Sequence, residues 1–521
     1  MMKRAMLAAV LLGASLMPAQ AEDLTIGLRI DAVPDPHYSW SSNYIQYYRH
    51  YLGFMTFMNP DGEVVPSLAE SWEPVEDGWV FHLRPKVKFS DGTDLDAQDI
   101  IASYERARDY PQAVGTYAGL FKGITAMTAA DPLTVKFTTD LPYRTLPFAL
   151  TQIPVVPSEV AATATQADFQ EAKANVSVGP FRFVSYTPGQ SIVVERNPDY
   201  WGEPAQWDKV TLRFMADPAA RVAALLAGDV DLIDGVPSEF VDRIRSDDRF
   251  AIYTTPSMRD VFLEMDQARD MTPFVTDKDG KPLSANPFKD RRVREALSLS
   301  IDRDAIRDRV MNGLAFPSGQ IVTVGTGGYA DDIPVPPYDP ERAKALLAEA
   351  GYPDGFGMTL HCTNDRYAND AKICQALGQM FARIGVKTEV VTLPSSAFFP
   401  VVNPAQGEGL SIALLSWAAS SSGEADMLTH VIQTYNAEAK TGTWNLGRYS
   451  NPEVDKLIDQ LNRIADPAER HARQAEVMRL IMKDVAAIPL HDQAVVVASR
   501  KDILYTPMPD ETSLAILATK K

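Results

Sequence analysis

An α/β protein of two or three lobes is what this sequence predicts, and three observations predict it. Residues 358–362, 370–384 and 386–393 read as strand, helix and strand, and that order implies parallel pairing in an open sheet. Residues 179–202 carry two alternating strands around Pro188-Gly189, closed by an aromatic corner from Asn197 to Trp201. With 521 residues in the chain, length alone accommodates two or three units of roughly 100 to 200 residues each.

The elements follow in chain order. Lys3 and Arg4, an apolar run over 5–17 and the small-x-small site Ala19-Gln20-Ala21 predict an export leader over residues 1–21, with the mature chain starting near Glu22. The apolar run is too short for a permanent anchor, no later stretch is long and uncharged enough, and no cysteine stands beside the cleavage site to carry a lipid. A soluble periplasmic protein of a Gram-negative bacterium is expected. Leu24, Ile26, Leu28 and Ile30 alternate as a first strand, broken by Val33-Pro34-Asp35-Pro36. Trp79, Phe81 and Leu83 alternate as a half-buried strand, Asp91-Gly92 turns, and Asp96 with Asp99 caps a helix bearing Ile100, Ile101, Tyr104 and Ala107.

A short helix from Arg221 is stopped by Gly228 and followed by a strand. Asp290 caps a helix carrying Val293, Leu297, Ile301, Ile306 and Val310, with Gly313 at its end. Asp339-Pro340-Glu341 opens a helix that Gly351 ends, and an apolar strand covers 410–415. Cys362 ends a strand and Cys374 lies on the next helix; an exported chain permits a bridge between them, and two buried thiols fit the sequence equally.

Removing Lys3 and Arg4 with the leader takes the formal charge from −18 to −20, which argues against nucleic acid and anionic membranes as partners. The sequence contains no HExxH, GxSxG or GxxxxGK[ST] run and no closely spaced Cys/His set. Its seven histidines are dispersed, which by itself leaves a convergent triad or metal site open. No catalytic residue, metal or cofactor is expected, and a periplasmic enzyme on this scaffold is the minor alternative.

The run LAESWEPVEDGWVFHLRPKVKFSDGTDLDAQDIIASYER, over residues 68–106, resembles the "LAESW, FxLRxxVKFxDG, AxD" opening of the extracytoplasmic solute-binding proteins of family 5, which serve peptide-type ABC importers. The element GPFRF…RNPDYW, the run RVAALLAGDVDL, the helix text VREALSLSIDR and the Tyr352-Pro353-Asp354-Gly355 turn are similar to further family motifs in the same order. The resemblance implies a type II periplasmic-binding-protein fold, two α/β lobes joined by two crossing strands. It assigns 22–64 and 175–270 to the first lobe, 65–174 to a subdomain inserted in it, 271–488 to the second lobe and 489–521 to a return into the first. It also implies a monomer that holds a small polar ligand between its lobes and presents it to an inner-membrane ABC permease.

Three places carry the implied site. In the loop after the first strand, Tyr38, Trp40 and Asn43 border the cleft of the resembled family. In the second, Trp417 follows an apolar strand as a wall, and Ser420 stands where peptide-binding relatives carry an aspartate that pairs with the peptide's α-amine. A serine supplies no full charge there, a loss of about 1.5 to 3 kcal/mol, so ordinary peptide recognition is disfavoured. The serine-rich version resembles the branch of glutathione-type binders and of importers of opine-like compounds. Ser420 and Ser421 are then hydrogen-bond partners; Glu424 or Asp426 either replaces the charge or caps the next helix. In the third, Trp444 and Asn445 border the cleft, and Arg366, after a strand, takes the position of an anion-binding arginine. The expected ligand is peptide-like, glutathione-like or opine-like; oligosaccharides, nickel chelates and haem are the other cargoes of the family.

Overall fold

The computed structural model describes residues 22–521 apart from 41, 112–115, 141–142, 404–406, 408, 420–422, 462–463 and 465. The expected leader over 1–21 lies outside the described residues.

Among the described residues one twelve-stranded mixed sheet carries both lobes. In the first lobe Asp23–Leu28 runs parallel to Lys209–Phe214 and to Leu232–Ile233, and the hairpin Phe181–Thr187 with Ser191–Arg196 extends the edge. In the second, Phe356–Thr363 runs parallel to Val386–Leu393 over eight residue pairs, with the helix Asp370–Ala382 as the crossover between them. All eight residues of Phe356–Thr363 are buried, as a strand covered on both faces should be. Cys362 and Cys374 form a disulfide between this strand and the crossover helix, with Cα atoms 6.7 Å apart, which decides between the two states that the sequence left open.

Two long strands cross from lobe to lobe. Phe250–Met265 pairs with Ile488–Arg500 from Phe250↔Arg500 to Leu263↔Ile488, and its second half also pairs with Ile412–Ala418. The register breaks between Pro256 and Asp260. Proline donates nothing to a ladder and an irregular register bends and twists a strand, so this is where the two half-sheets are free to take different directions. These are the hinge strands.

Local signals in the chain produce the elements around this frame. Asp96 accepts from the amides of Gln98 and Asp99 while Asp99 returns a bond to the Asp96 amide, starting the helix Ala97–Asp109. That helix buries Ile100, Tyr104 and Ala107 against a separate four-stranded sheet built on Ala69–Val75 and Gly78–Leu83. Gly228, at φ 83°, closes Pro218–Ala227 in the left-handed conformation that glycine adopts without a Cβ penalty.

One expected helix is broken in the structure. The helix that Asp290 caps stops at Leu299, not near Gly313, and a short helix Arg303–Ala305 with a wide turn Ile306–Val310 follows. The Asp302 carboxylate accepts from the Ala305 amide and starts a new helix. The buried Arg303 guanidinium donates to the carbonyls of Pro489, 2.9 Å away, and Ser298, 3.2 Å away. Val293, Leu297, Ile301 and Ile306 reach one core across the break, so apolar spacing alone concealed it.

Candidate functional site

Two adjoining cavities open between the lobes. The larger, about 640 Å³, takes Arg29, Ile30 and Asp234 from the first lobe, Arg259 and Gln493 from the hinge strands, Arg366 and Asn369 from the second lobe, and Glu511 from the C-terminal segment. The smaller, about 190 Å³, shares Arg259 and Arg366 and adds Phe399, Ser416, Trp417 and Trp444. Clefts of a few hundred cubic ångströms with an aromatic wall and a few oriented charges are the usual form of a small-molecule site.

The aromatic wall is fixed from behind. The Trp417 indole N–H donates to Asp426 Oδ1 at 2.7 Å, its ring stacks on His430 at 5.5 Å, and Trp444 meets it edge-on at 6.5 Å. Phe399 packs on Trp444 at 5.8 Å, and the Arg366 guanidinium lies 4.9 Å above the Phe399 ring. Trp444 remains 43 % exposed, so its face is free to cover a ligand. Arg366 donates through Nε to the Tyr367 hydroxyl at 3.1 Å and makes no ion pair among the described residues.

The opposite side is charged. Arg29 follows the first strand, and its Nε lies 3.4 Å from the Asp234 carboxylate while Nη2 lies 3.4 Å from Glu511. Burial lowers the Arg29 pKa, but Asp234 and Glu511 outweigh it and hold the guanidinium above its usual range. Arg259 reaches Glu511 through Nε at 3.4 Å and the Ser416 hydroxyl through Nη1 at 3.2 Å. Behind the hinge, Asp260 and Asp492 face each other in register and both are almost wholly buried. Burial raises both carboxyl groups, Asp492 to about 8 and Asp260 well above its usual range, where the nearby Asp492 charge adds to the effect.

Of the residues singled out in the sequence, Trp417, Trp444 and Arg366 come together on the smaller cavity. Tyr38 and Trp40 line neither cavity. Their loop is pinned to the helix Ala97–Asp109 through Asp35, which accepts from Arg106 Nη2 at 2.7 Å and Nη1 at 2.8 Å and from the Tyr110 hydroxyl at 2.9 Å. Tyr38 packs edge-on to Tyr110, and Trp40 lies between two hydrophobic clusters. The side chain of Asn43, and both Ser420 and Ser421, lie outside the described residues. Glu424 turns away to the helix Pro467–Lys483, accepting from Arg470, from His471 at 3.3 Å and from Gln474 at 3.1 Å. Asn445 is wholly buried and spends its amide N–H groups on the carbonyls of Ile432, Gln433 and Tyr449.

Arg29, Arg259, Phe399, Gln493 and Glu511 escaped the sequence reading. Arg29 had one usable signal, since ligands of α/β sheets gather beyond the carboxyl ends of strands and Arg29 directly follows Asp23–Leu28. Glu511 had none. Among the described residues no group of histidine, cysteine and carboxylate side chains is arranged to hold a metal, and no helix is long and apolar enough to cross a membrane.

A family model described as bacterial extracellular solute-binding proteins, family 5 Middle, matches residues 63–451. The glutathione-binding protein GsiB of Shigella flexneri serotype 5b (strain 8401) is 30% identical over 455 residues, 85% of this chain and 84% of that protein. Among solved structures, HbpA2 from Haemophilus parasuis superposes with a TM-score of 0.80 at 21% identity, over 96% of this chain and 100% of that one. DppA from Helicobacter pylori in complex with the peptide STSA gives 0.69 at 21% identity, over 96% and 98%.

Proposed function

The chain belongs to the bacterial extracellular solute-binding proteins of family 5, and from that premise we propose that it captures a small, peptide-like ligand bearing carboxylates, of the glutathione type, between its two lobes. It is the substrate-binding component of an ABC importer, as its relatives are. The observation that carries the ligand class is the pairing of three cleft arginines, Arg29, Arg259 and Arg366, with the Phe399–Trp417–Trp444 wall. Guanidinium groups recognise carboxylates through their forked donors, and an aromatic wall covers the apolar length of a short peptide. Arg366 supports one carboxylate contact, since it stands at the junction of both cavities without an ion pair among the described residues.

The protein works by stoichiometric binding and not by turnover, as a monomer, in the periplasm after removal of residues 1–21, and hands its ligand to an inner-membrane permease. Isothermal calorimetry with reduced glutathione, its N-acetyl and diester derivatives and a set of ordinary di- and tripeptides tests the ligand class. Glutathione is expected to bind at one site, the diester at least about tenfold more weakly, a difference of about 1.4 kcal/mol. Equal binding of glutathione and its diester would remove the carboxylate reading, and mass spectrometry of the protein after incubation with glutathione would reveal any turnover.

A further inference from the structure

We propose that Glu511 is a built-in stand-in for a ligand carboxylate: in the ligand-free protein it fills the seat between Arg29 and Arg259, and a carboxylate of the ligand displaces it on binding. The proposal rests on the reading of the ligand as carboxylate-bearing and names the second anchor of that ligand, Arg366 being the first.

Glu511 is held loosely by everything that holds it. Its Oε1 lies 3.4 Å from Arg259 Nε and 3.3 Å from Gln493 Nε2, and its Oε2 lies 3.4 Å from Arg29 Nη2. All three are long against the 2.7–2.9 Å of a settled charge-assisted bond. The neighbouring residue gives the contrast. Asp510 meets Arg49 at 2.6 Å with both side chains buried, and its other oxygen takes the Thr512 hydroxyl at 2.6 Å. The chain is thus nailed down at 510 and 512, while Glu511 between them stands at φ 66° and sends its carboxylate into the cavity. For a non-glycine residue that left-handed conformation is strained, and such strain persists where the surroundings impose it, often at ligand clamps.

The seat also joins separate parts of the molecule. Arg29 follows a first-lobe strand, whereas Arg259 and Gln493 sit on the two hinge strands beside the register break. An internal carboxylate there satisfies the two guanidinium groups before ligand arrives and competes with the ligand for them afterwards. Competition of this kind lowers apparent affinity by the fraction of protein in which the seat is open. It also favours a ligand able to grip Arg366 and this seat at once, a compound with two carboxylates over one with a single charge.

Glu511→Gln tests this, because glutamine keeps the size and the backbone conformation and removes the charge. Calorimetry with reduced glutathione, and thermal-shift titration with glutarate as a bare dicarboxylate, are to be run on the wild type, Glu511→Gln, Arg259→Gln and the double variant. Glu511→Gln is expected to bind both probes at least fivefold more tightly, Arg259→Gln at least tenfold more weakly, and the double variant is expected to lose the gain. Glutathione bound by the wild type but no more tightly, or more weakly, by Glu511→Gln overturns the displacement while leaving the ligand class standing. A gain with glutarate alone upholds the displacement and rejects glutathione as the ligand. No binding of either probe to any of the four proteins overturns both.

Discussion

Glu424 shows what burial does to a single charge. Its own desolvation would raise the carboxyl, but hydrogen bonds from His471 and Arg470 prevail and hold it at about 2. A group depressed in this way adds stability that is present above its unfolded value near 4.5 and is lost as pH falls through about 2. Glu424→Gln removes a counter-charge of Arg470, whose side chain is only 5% exposed, and is expected to cost about 3 kcal/mol in chemical denaturation at pH 7. Because Glu424 lines neither cavity, ligand affinity is expected to stay within about twofold; a large loss of affinity in a stably folded variant would return it to the binding site. Trp417 lies on the other side of that division. It presents its ring to the smaller cavity and is braced by Asp426 and His430, so Trp417→Ala is expected to weaken binding by more than about 1 kcal/mol with the fold intact, as calorimetry beside circular dichroism would show. Both residues were visible in the sequence as a tryptophan and a glutamate a few positions apart. What separated them, the helix Pro467–Lys483 arriving more than forty residues later with Arg470, His471 and Gln474, is a tertiary fact that no local pattern carries.

At the scale of elements, the hinge strands carry a proton-linked pair. Asp260 and Asp492 are register partners with one unpartnered oxygen each, and the groups that face them are Arg259 and Asp426 for the first and Ser318, Tyr329 and the Val324 amide for the second. A carboxyl raised to about 8 retains its proton when the unfolded chain has already lost it. Its contribution to stability is therefore complete below about 3.8 and is lost as pH rises through about 8. Asp492→Asn is expected to flatten the fall in stability between pH 5 and pH 8, with a relative gain of at least about 1 kcal/mol at the upper end, measured as urea denaturation at both values. Parallel curves for the two proteins would sink this assignment. The elements themselves were largely legible, because their signals are local: the Asp96–Asp99 capping box, Pro340 after Asp339 and Gly228 at its positive φ all act within one turn. The break after Leu299 was not. It depends on Arg303 finding the Pro489 carbonyl on a strand nearly two hundred residues away.

At the scale of the whole molecule, a small apolar cluster packs Met58 and Phe148 against Met258 of the hinge strand Phe250–Met265 and Ala419, just past Ile412–Ala418. Gly423 lies against the Phe148 ring. It stands at φ 66°, and a Cβ there would fall 2.5 Å from the Phe148 ring. Any side chain at 423 carries a backbone cost and pushes Phe148 away from the segment that follows the Trp417 strand. Closure is driven only by the difference in ligand affinity between open and closed arrangements, so a contact that forbids the closed one acts on binding and on shape together. Wild-type protein, stripped of ligand and then saturated with glutathione, is expected to show a fall in its radius of gyration by small-angle scattering. Gly423→Ala is expected to show less compaction and weaker binding, with secondary structure unchanged. If the wild type gives the same profile with and without bound ligand, closure is not how this protein holds it; if Gly423→Ala compacts and binds like the wild type, the Phe148 contact does not limit the approach of the lobes.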